Sequence, residues 1–294
     1  MPAVLVEAAP AKVNLYLHVL GRREDGYHLL DSLVVFADVA DTVAVETGGC
    51  LRFTVDGPFA ASLAAEPPES NLVLRAARDL AATLDRPADV DLRLTKVLPV
   101  ASGIGGGSAD AAAVLRALAR VWDIAADDPR LFAVAARLGA DVPVCLKGEA
   151  AFFGGVGDII DPAQGLPECP AVLVNPGVPL PTPMVFKARE GAFSAAGRFI
   201  EPPDDAAALA ALLDGRRNDL TVAAVSLAPV VRDVLAALEG TAGCRLARLS
   251  GSGATCFGLY ATPAEAAAAA VGLARAWPAW WVTDCRLGGV PRKV

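Results

Sequence analysis

Histidine is scarce in this 294-residue chain, with only His18 and His28 present. None of the six scattered cysteines forms a Cys-x-x-Cys pair, so no zinc constellation can be drawn. The same scarcity gives no support to a serine or cysteine nucleophile paired with histidine. Basic residues are in deficit, 26 against 33 acidic ones, for a net charge of −7. Such a chain is poorly suited to nucleic acid or an anionic membrane, and neither is expected as a partner. An anionic substrate must then meet local groups, such as Lys12 or loop N–H donors. No apolar run reaches spanning length, and the alanine-rich stretch Ala266–Ala274 stops at Arg275. The N-terminus has no basic n-region, and Glu7 interrupts its apolar residues, so no secretory signal is expected. The cysteines read as reduced, mostly buried thiols of a cytoplasmic protein.

Hydrophobic residues make up 54% of the chain, enough for a folded protein with a sizeable core. Glycine is concentrated in one place, Pro99-Val-Ala-Ser-Gly-Ile-Gly-Gly-Gly-Ser-Ala109, which holds Gly103, Gly105, Gly106 and Gly107. A helix-like run from Ser108 to Trp122 follows, with Val114, Leu115, Leu118, Val121 and Trp122 on its apolar face. Glycines permit positive φ and close approach to a ligand. The helix start adds unpaired N–H groups and the positive end of a dipole. Together they describe a phosphate site. It is not a Walker A loop, because no lysine precedes Ser108. It is not the dinucleotide fingerprint either, because counting from Gly103 puts Ser108 in the last position.

Along the chain, Ala11–Leu20 alternates as a strand. Val13, Leu15, Leu17 and Val19 are expected on one face, and Lys12, Asn14, Tyr16 and His18 on the other. Further strands are expected at Leu33–Val39, Thr42–Glu46, Leu51–Val55, Val90–Leu94, Ala171–Asn175, Arg245–Leu249, Thr255–Tyr260 and Trp281–Leu287. Helices are expected at Asn71–Leu84, from Asp128-Pro129 to Gly139, and at Thr182–Glu190, Asp204–Leu213, Thr221–Leu238 and Pro263–Ala276. Strands followed by helices suggest an α+β protein. The proline-rich stretch Pro162–Pro170 suggests two domains, 1–160 and 161–294. There is no internal repeat.

Several residues carry chemistry only in combination. Lys12 lies within a strand, where lysine is ordinarily a solvated edge residue. Asp141 follows Gly139 and precedes Pro143, the place of an ordinary turn or cap carboxylate. Phosphoryl transfer, however, needs only positioning, charge neutralisation and a group to receive the hydroxyl proton. A glycine loop, one lysine and one aspartate suffice, with Mg²⁺ held largely by phosphate oxygens and water. Tyr27 and His28 beside a glycine turn suit either stacking on a base or simple packing. Ser250-Gly-Ser-Gly-Ala254 suits either a hairpin turn or a ligand loop.

Three blocks together resemble the GHMP kinase superfamily: Pro10-Ala-Lys-Val-Asn-Leu15, Pro99–Ala109 and Leu249-Ser-Gly-Ser-Gly-Ala-Thr-Cys-Phe257. Asp25-Gly-Tyr-His28, Gly139-Ala-Asp-Val-Pro143, Pro181-Thr-Pro-Met-Val-Phe186 and Asn218-Asp-Leu220 narrow the resemblance to members with a small-molecule cytidyl substrate. The loop departs mildly, with Ser102 and Ile104 where small residues and leucine are more usual. The resemblance implies a two-domain GHMP kinase fold, with an N-terminal domain like ribosomal S5 domain 2 and a ferredoxin-like C-terminal domain. It implies an ATP- and Mg²⁺-dependent phosphotransferase with an alcohol acceptor, monomeric or homodimeric, in the non-mevalonate route to isoprenoid precursors. Asp141 would act as base and Lys12 would stabilise the developing alkoxide. Pro99, Val100, Ala101, Ser102, Gly103, Ile104, Gly105, Gly106, Gly107, Ser108 and Ala109 would cradle the ATP phosphates. Tyr27 and Phe186 would sandwich the cytosine, His28 would hydrogen-bond it, and Asn14 would position the acceptor alcohol. Asn71 and Lys96 are candidates for the adenine side, and the Ser250–Ala254 loop would close over the phosphate end. A homoserine- or mevalonate-type kinase is the nearest alternative, and a non-catalytic nucleotide-binding regulator the next.

Overall fold

The computed structural model describes residues 4–64 and 67–289. Two long antiparallel strands, β1 (Leu5–Arg22) and β2 (His28–Thr47), form its spine. They are joined by a tight turn in which Gly26 has φ 91° and the Tyr27 N–H donates to Asp25 Oδ1 at 3.1 Å. β2 is one strand where the sequence suggests two. The polar residues that break its pattern, Asp38 and Asp41, are buried but satisfied from distant parts of the chain. Asp38 Oδ1 accepts from the Arg286 N–H, and Asp41 Oδ1 accepts from the Val97 and Leu98 N–H groups. A buried carboxylate with such partners need not end a strand.

Strand β1 corrects a second expectation. Its register slips between Pro10 and Lys12, between Asn14 and Tyr16 and between Val19 and Gly21. At the second and third slips β1 carries one extra residue against β2, a bulge that resets the two-residue alternation. Tyr16 therefore packs in the same apolar cluster as Val13 and Leu15, and the run from Ala9 to Val19 is buried on both faces.

The remaining elements follow in order. First come β3 (Arg52–Asp56), α1 (Ala60–Ala64), α2 (Leu72–Thr83), β4 (Val90–Thr95), α3 (Gly106–Val121), α4 (Pro129–Leu138), α5 (Val142–Lys147), β5 (Ala151–Gly155) and β6 (Ile159–Pro162). Then come β7 (Cys169–Asn175), α6 (Thr182–Ala188), α7 (Ala206–Asp214), α8 (Thr221–Leu227), α9 (Val230–Glu239), β8 (Leu246–Leu249), β9 (Cys256–Leu259), α10 (Pro263–Ala276) and β10 (Trp281–Leu287). The single helix expected over 221–238 is two. Pro229 cannot donate to the helical ladder, and Ala228 before it takes φ −138°, ψ 86°. Helix α5 and strands β5 and β6 are short elements that the sequence reading did not separate.

The sheet runs β3-β4-β2-β10-β7-β9-β8, with β1 on β2 and β5 bridging β2 and β6. Among the described strands only the β3–β4 pair is parallel. One core gathers α2, α3, α4 and α5 against β1, β2 and β4, while another gathers α8, α9 and α10 against β7, β8 and β9. A third is shared: Ala11, Val13 and Leu33 from the first half meet Ala171, Leu173 and Leu287 from the second. The halves are thus joined by packed apolar surface, although β2 and β10 share the single register pair Ala37–Leu287. Cys145 and Cys169 are buried, and burial pushes both thiols up to about 12. Among the described residues no helix is long and apolar enough to cross a membrane.

Candidate active site

A single cleft of about 1130 Å³ collects the residues that the sequence singles out. Its floor is the turn from β4 into α3. Gly103 and Gly105 have φ of 77° and 63°, whereas Gly106 and Gly107 are the first helical residues. Positive φ is therefore needed at 103 and 105, not at 106, where the glycine has a different reason. A Cβ there would lie 3.0 Å from Lys96 Nζ. At Gly103 the constraint is close backbone approach, since a Cβ would lie 2.6 Å from Ser250 O and 2.7 Å from Gly253 N. No side chain caps the first turn of α3, whose residues Gly106, Gly107 and Ser108 line the cleft, and an uncapped helix start is able to receive an anion. Eight of the eleven loop residues line the cleft: Val100, Ala101, Ser102, Gly103, Gly105, Gly106, Gly107 and Ser108. Pro99, Ile104 and Ala109 do not. The Pro99 carbonyl accepts from Ser102 Oγ at 2.7 Å, and Ile104 and Ala109 are core residues.

Lys12 sits on β1 just after its first register slip and is 3% exposed, not a solvated edge residue. Its backbone N–H donates to Ile104 O at 2.9 Å, which ties the strand to the glycine loop. Its Nζ donates to Asn14 Oδ1 at 3.0 Å and lies 3.2 Å from Asp141 Oδ1. Asn14 is held in turn by Ser32, donating through Nδ2 to Oγ at 2.8 Å. Asp141 stands just before α5, and its side chain keeps 38% of its exposure. The cleft thus brings together an oriented ammonium and an accessible carboxylate, 129 residues apart in sequence, beside the glycine loop.

Beneath α3 lies an ion cluster that the sequence reading missed. Lys96 Nζ lies 2.5 Å from Asp41 Oδ2 and 2.8 Å from Asp110 Oδ2, and all three residues are buried. Burial alone would depress the Lys96 ammonium, but the two carboxylates outweigh it and hold it above its ordinary value. Burial pushes the Asp110 carboxyl up to about 7; Lys96 opposes that shift and Asp41 adds to it. Lys96, an adenine-side candidate, is therefore committed to two carboxylates. Asn71, the other, caps α2 by accepting from the Val73 and Leu74 N–H groups, and its residue lines the cleft. Between pH 4 and 7 Asp110 in the folded chain binds a proton that the unfolded chain releases, so this group's contribution to stability is lost as pH rises through about 7. In Asp110→Asn the loss of thermal stability between pH 5 and 8 should flatten. Unfolding scans across that range check it, and an unchanged slope would remove Asp110 as the titrating group.

The opposite wall is aromatic. His28 stacks on Phe186 of α6, with centroids 5.1 Å apart and planes 28° from parallel. Burial lowers the His28 pKa, with smaller contributions from Arg22 and Arg189. Tyr27 lines the same wall and is 66% exposed. The ring contact in this structure is thus His28 on Phe186, with Tyr27 beside it. The Ser250–Ala254 loop closes the side. Ser250 Oγ donates to Gly103 O at 3.0 Å, and the Thr255 N–H donates to Ser102 O at 3.0 Å. Asn218 Nδ2 donates to both Leu249 O and Gly251 O at 2.8 Å. Thr182 and Ser252 share a hydroxyl contact of 2.9 Å that joins this loop to α6. The Asn218-Asp-Leu block was the available signal for this brace.

Residues 71–149 match the GHMP kinases N terminal domain family, and residues 192–279 match GHMP kinases C terminal. A protein of Paramagnetospirillum magneticum named 4-diphosphocytidyl-2-C-methyl-D-erythritol kinase is 55% identical over 279 residues, covering 95% of this chain and 97% of that one. A crystal structure of 4-(cytidine 5'-diphospho)-2C-methyl-D-erythritol kinase superposes with a TM-score of 0.78 at 38% identity, covering 97% of this chain and 100% of that one. Homoserine kinase from Cytophaga hutchinsonii shares the fold, with a TM-score of 0.72 at 18% identity over 97% of this chain and 95% of that one. The chain belongs to the GHMP kinases, within their 4-diphosphocytidyl-2-C-methyl-D-erythritol kinase family.

Proposed function

We propose that this chain transfers the γ-phosphoryl group of ATP to the 2-hydroxyl of 4-diphosphocytidyl-2-C-methyl-D-erythritol, in the methylerythritol phosphate route to isoprenoid precursors. The observation that carries the reading is the Lys12–Asp141 pair, set between an uncapped glycine-loop helix and an aromatic wall. Asp141 receives the hydroxyl proton as the acceptor oxygen attacks. Lys12 neutralises charge on that oxygen and on the transferring group. The helix N–H groups of the glycine loop hold the ATP phosphates. Asn14, fixed by Ser32, orients the acceptor alcohol beside Lys12. Tyr27, His28 and Phe186 hold the cytosine.

Among the described residues no group of three or more His, Cys, Asp or Glu could hold a metal ion. Mg²⁺ would come in with ATP on phosphate oxygens and water, and would supply neutralisation of phosphate charge. Residues 1–160 and 161–294 act as two domains with the substrate between them, in a cytoplasmic enzyme. Incubation with ATP, Mg²⁺ and the cytidyl substrate should give ADP and the phosphorylated product in equal amounts. A folded, ATP-binding protein with no turnover of that substrate would overturn the reading. Phe186→Ala tests the base wall. Stacking on an aromatic side chain is worth about 1–3 kcal/mol per base, so the KM for the cytidyl substrate should rise roughly 5- to 150-fold. The KM for ATP should barely change, and an unchanged cytidyl KM would make Phe186 a packing residue only.

A further inference from the structure

The aromatic end of the cleft carries more positive charge than it neutralises. Arg22, Lys187 and Arg189 all line it, and none forms an ion pair with a carboxylate among the described residues. Other arginines near this half of the molecule do find carboxylates: Arg217 pairs with Asp219 at 2.6 Å, and Arg198 with both Asp31 and Asp161. The carboxylate on this wall, Asp25, is taken by Arg23 at 2.7 Å. In a chain of net charge −7, three uncompensated cations on one cleft wall are an anion site waiting for its ligand.

The two guanidiniums come from different elements that border the same cleft. Arg22 ends β1 and faces His28 across the hairpin register, with its Nε donating to Gly26 O at 3.2 Å. Arg189 caps the C-terminus of α6, three residues after Phe186. It is pre-set by donation from its two terminal nitrogens to Gly191 O and Ala192 O, and it lies 4.8 Å over the Phe193 ring. Its Nε is buried with no partner among the described residues. Both fields reach the His28 ring, which each opposes protonating. The glycine loop offers a separate anion site on the cleft floor, so the cations at the aromatic end have their own anion to meet.

We infer that Arg22 and Arg189, assisted by Lys187, form the subsite that reads the diphosphate of the acceptor, and so select a nucleoside diphosphate ester over a bare nucleoside. The inference rests on the proposed function, because it takes the His28–Phe186 wall as the base site. Guanidinium groups suit this task, since they bind phosphate oxygens through paired donors and stay charged.

The test is calorimetric binding of CDP and of cytidine to the full chain. Wild type should bind CDP at least about tenfold tighter than cytidine, and added salt should narrow that gap. In Arg22→Gln/Arg189→Gln the two affinities should come within about threefold, through loss of CDP affinity with cytidine nearly unchanged. Arg22→Gln alone, at an exposed strand end, should close part of the gap even if the Arg189 change disturbs its loop. A double variant that keeps the wild-type CDP preference would overturn the inference, as would equal binding of CDP and cytidine by wild type. Failure of wild type to bind either compound would instead overturn the base site, and with it the proposed function.

Discussion

Replacing Asp141 by asparagine lowers kcat by about 10² or more, with little change in either KM. Asparagine matches the shape of aspartate but accepts no proton at neutral pH, so binding survives and the chemical step loses its base. Asp141 keeps more than a third of its side-chain exposure and packs in no apolar cluster, so the variant should fold. The companion change, Lys12→Ala, should lower kcat as severely but with a stability cost. Lys12 is buried and donates to Asn14, so its removal strands an acceptor and opens a void. The two effects are separated by measuring kcat alongside the thermal midpoint. Near-normal turnover by folded Asp141→Asn would take that residue out of the chemistry. A Lys12→Ala protein with a lowered midpoint and intact kcat would make the lysine structural.

A single methyl group at Gly103 should cost nearly as much function. Alanine disfavours the φ of 77° by about 1–2 kcal/mol before any contact is counted. Its Cβ would then press on Ser250 O and Gly253 N, which are backbone atoms without a rotamer to move. The Ser250–Ala254 loop is fastened to the glycine loop by Ser250 and Thr255 and braced by Asn218, so the strain has no easy outlet. Nucleotide affinity should fall by about 10²-fold and the midpoint should drop by several degrees. Gly107→Ala is the control for stability. That residue is helical, and a Cβ there meets only Leu72 Cδ1 at 3.6 Å, so the midpoint should hold or rise. Wild-type nucleotide affinity in Gly103→Ala, measured by calorimetry, would refute the close-approach argument.

Local chemistry was readable wherever a backbone group is satisfied within a few residues. Asp128-Pro129 and Gly139 bracket α4 as expected, because the Asp128 carboxylate caps the Arg130 N–H and proline suits the first turn. The Thr262–Glu265 capping box opens α10 at Pro263, and its span matches the reading from pattern alone. The glycine cluster announced a tight loop into a helix for the same reason: positive φ and an uncapped helix start are properties of a short segment. The ordered blocks from Pro10 to Phe257 then carried the family.

What the sequence determined by itself is therefore most of the elements, the caps and turns that bound them, and the residue types of the cleft. What only the tertiary structure decided is how they face one another. The bulges in β1 turned Tyr16 into the core beside Val13 and Leu15, since a one-residue slip reverses every side chain after it. The Lys96 cluster was invisible because its partners lie 55 and 14 residues away, and each looks like an ordinary surface charge until the others arrive. The glycines that need their freedom are 103 and 105, chosen by Ser250 and Lys12 from across the fold. Arg22 and Arg189 met at one wall only when the hairpin turn and the end of α6 closed on the same cleft. Charge pairing and close approach are properties of three-dimensional neighbours, and a linear pattern does not encode which neighbours a residue will have.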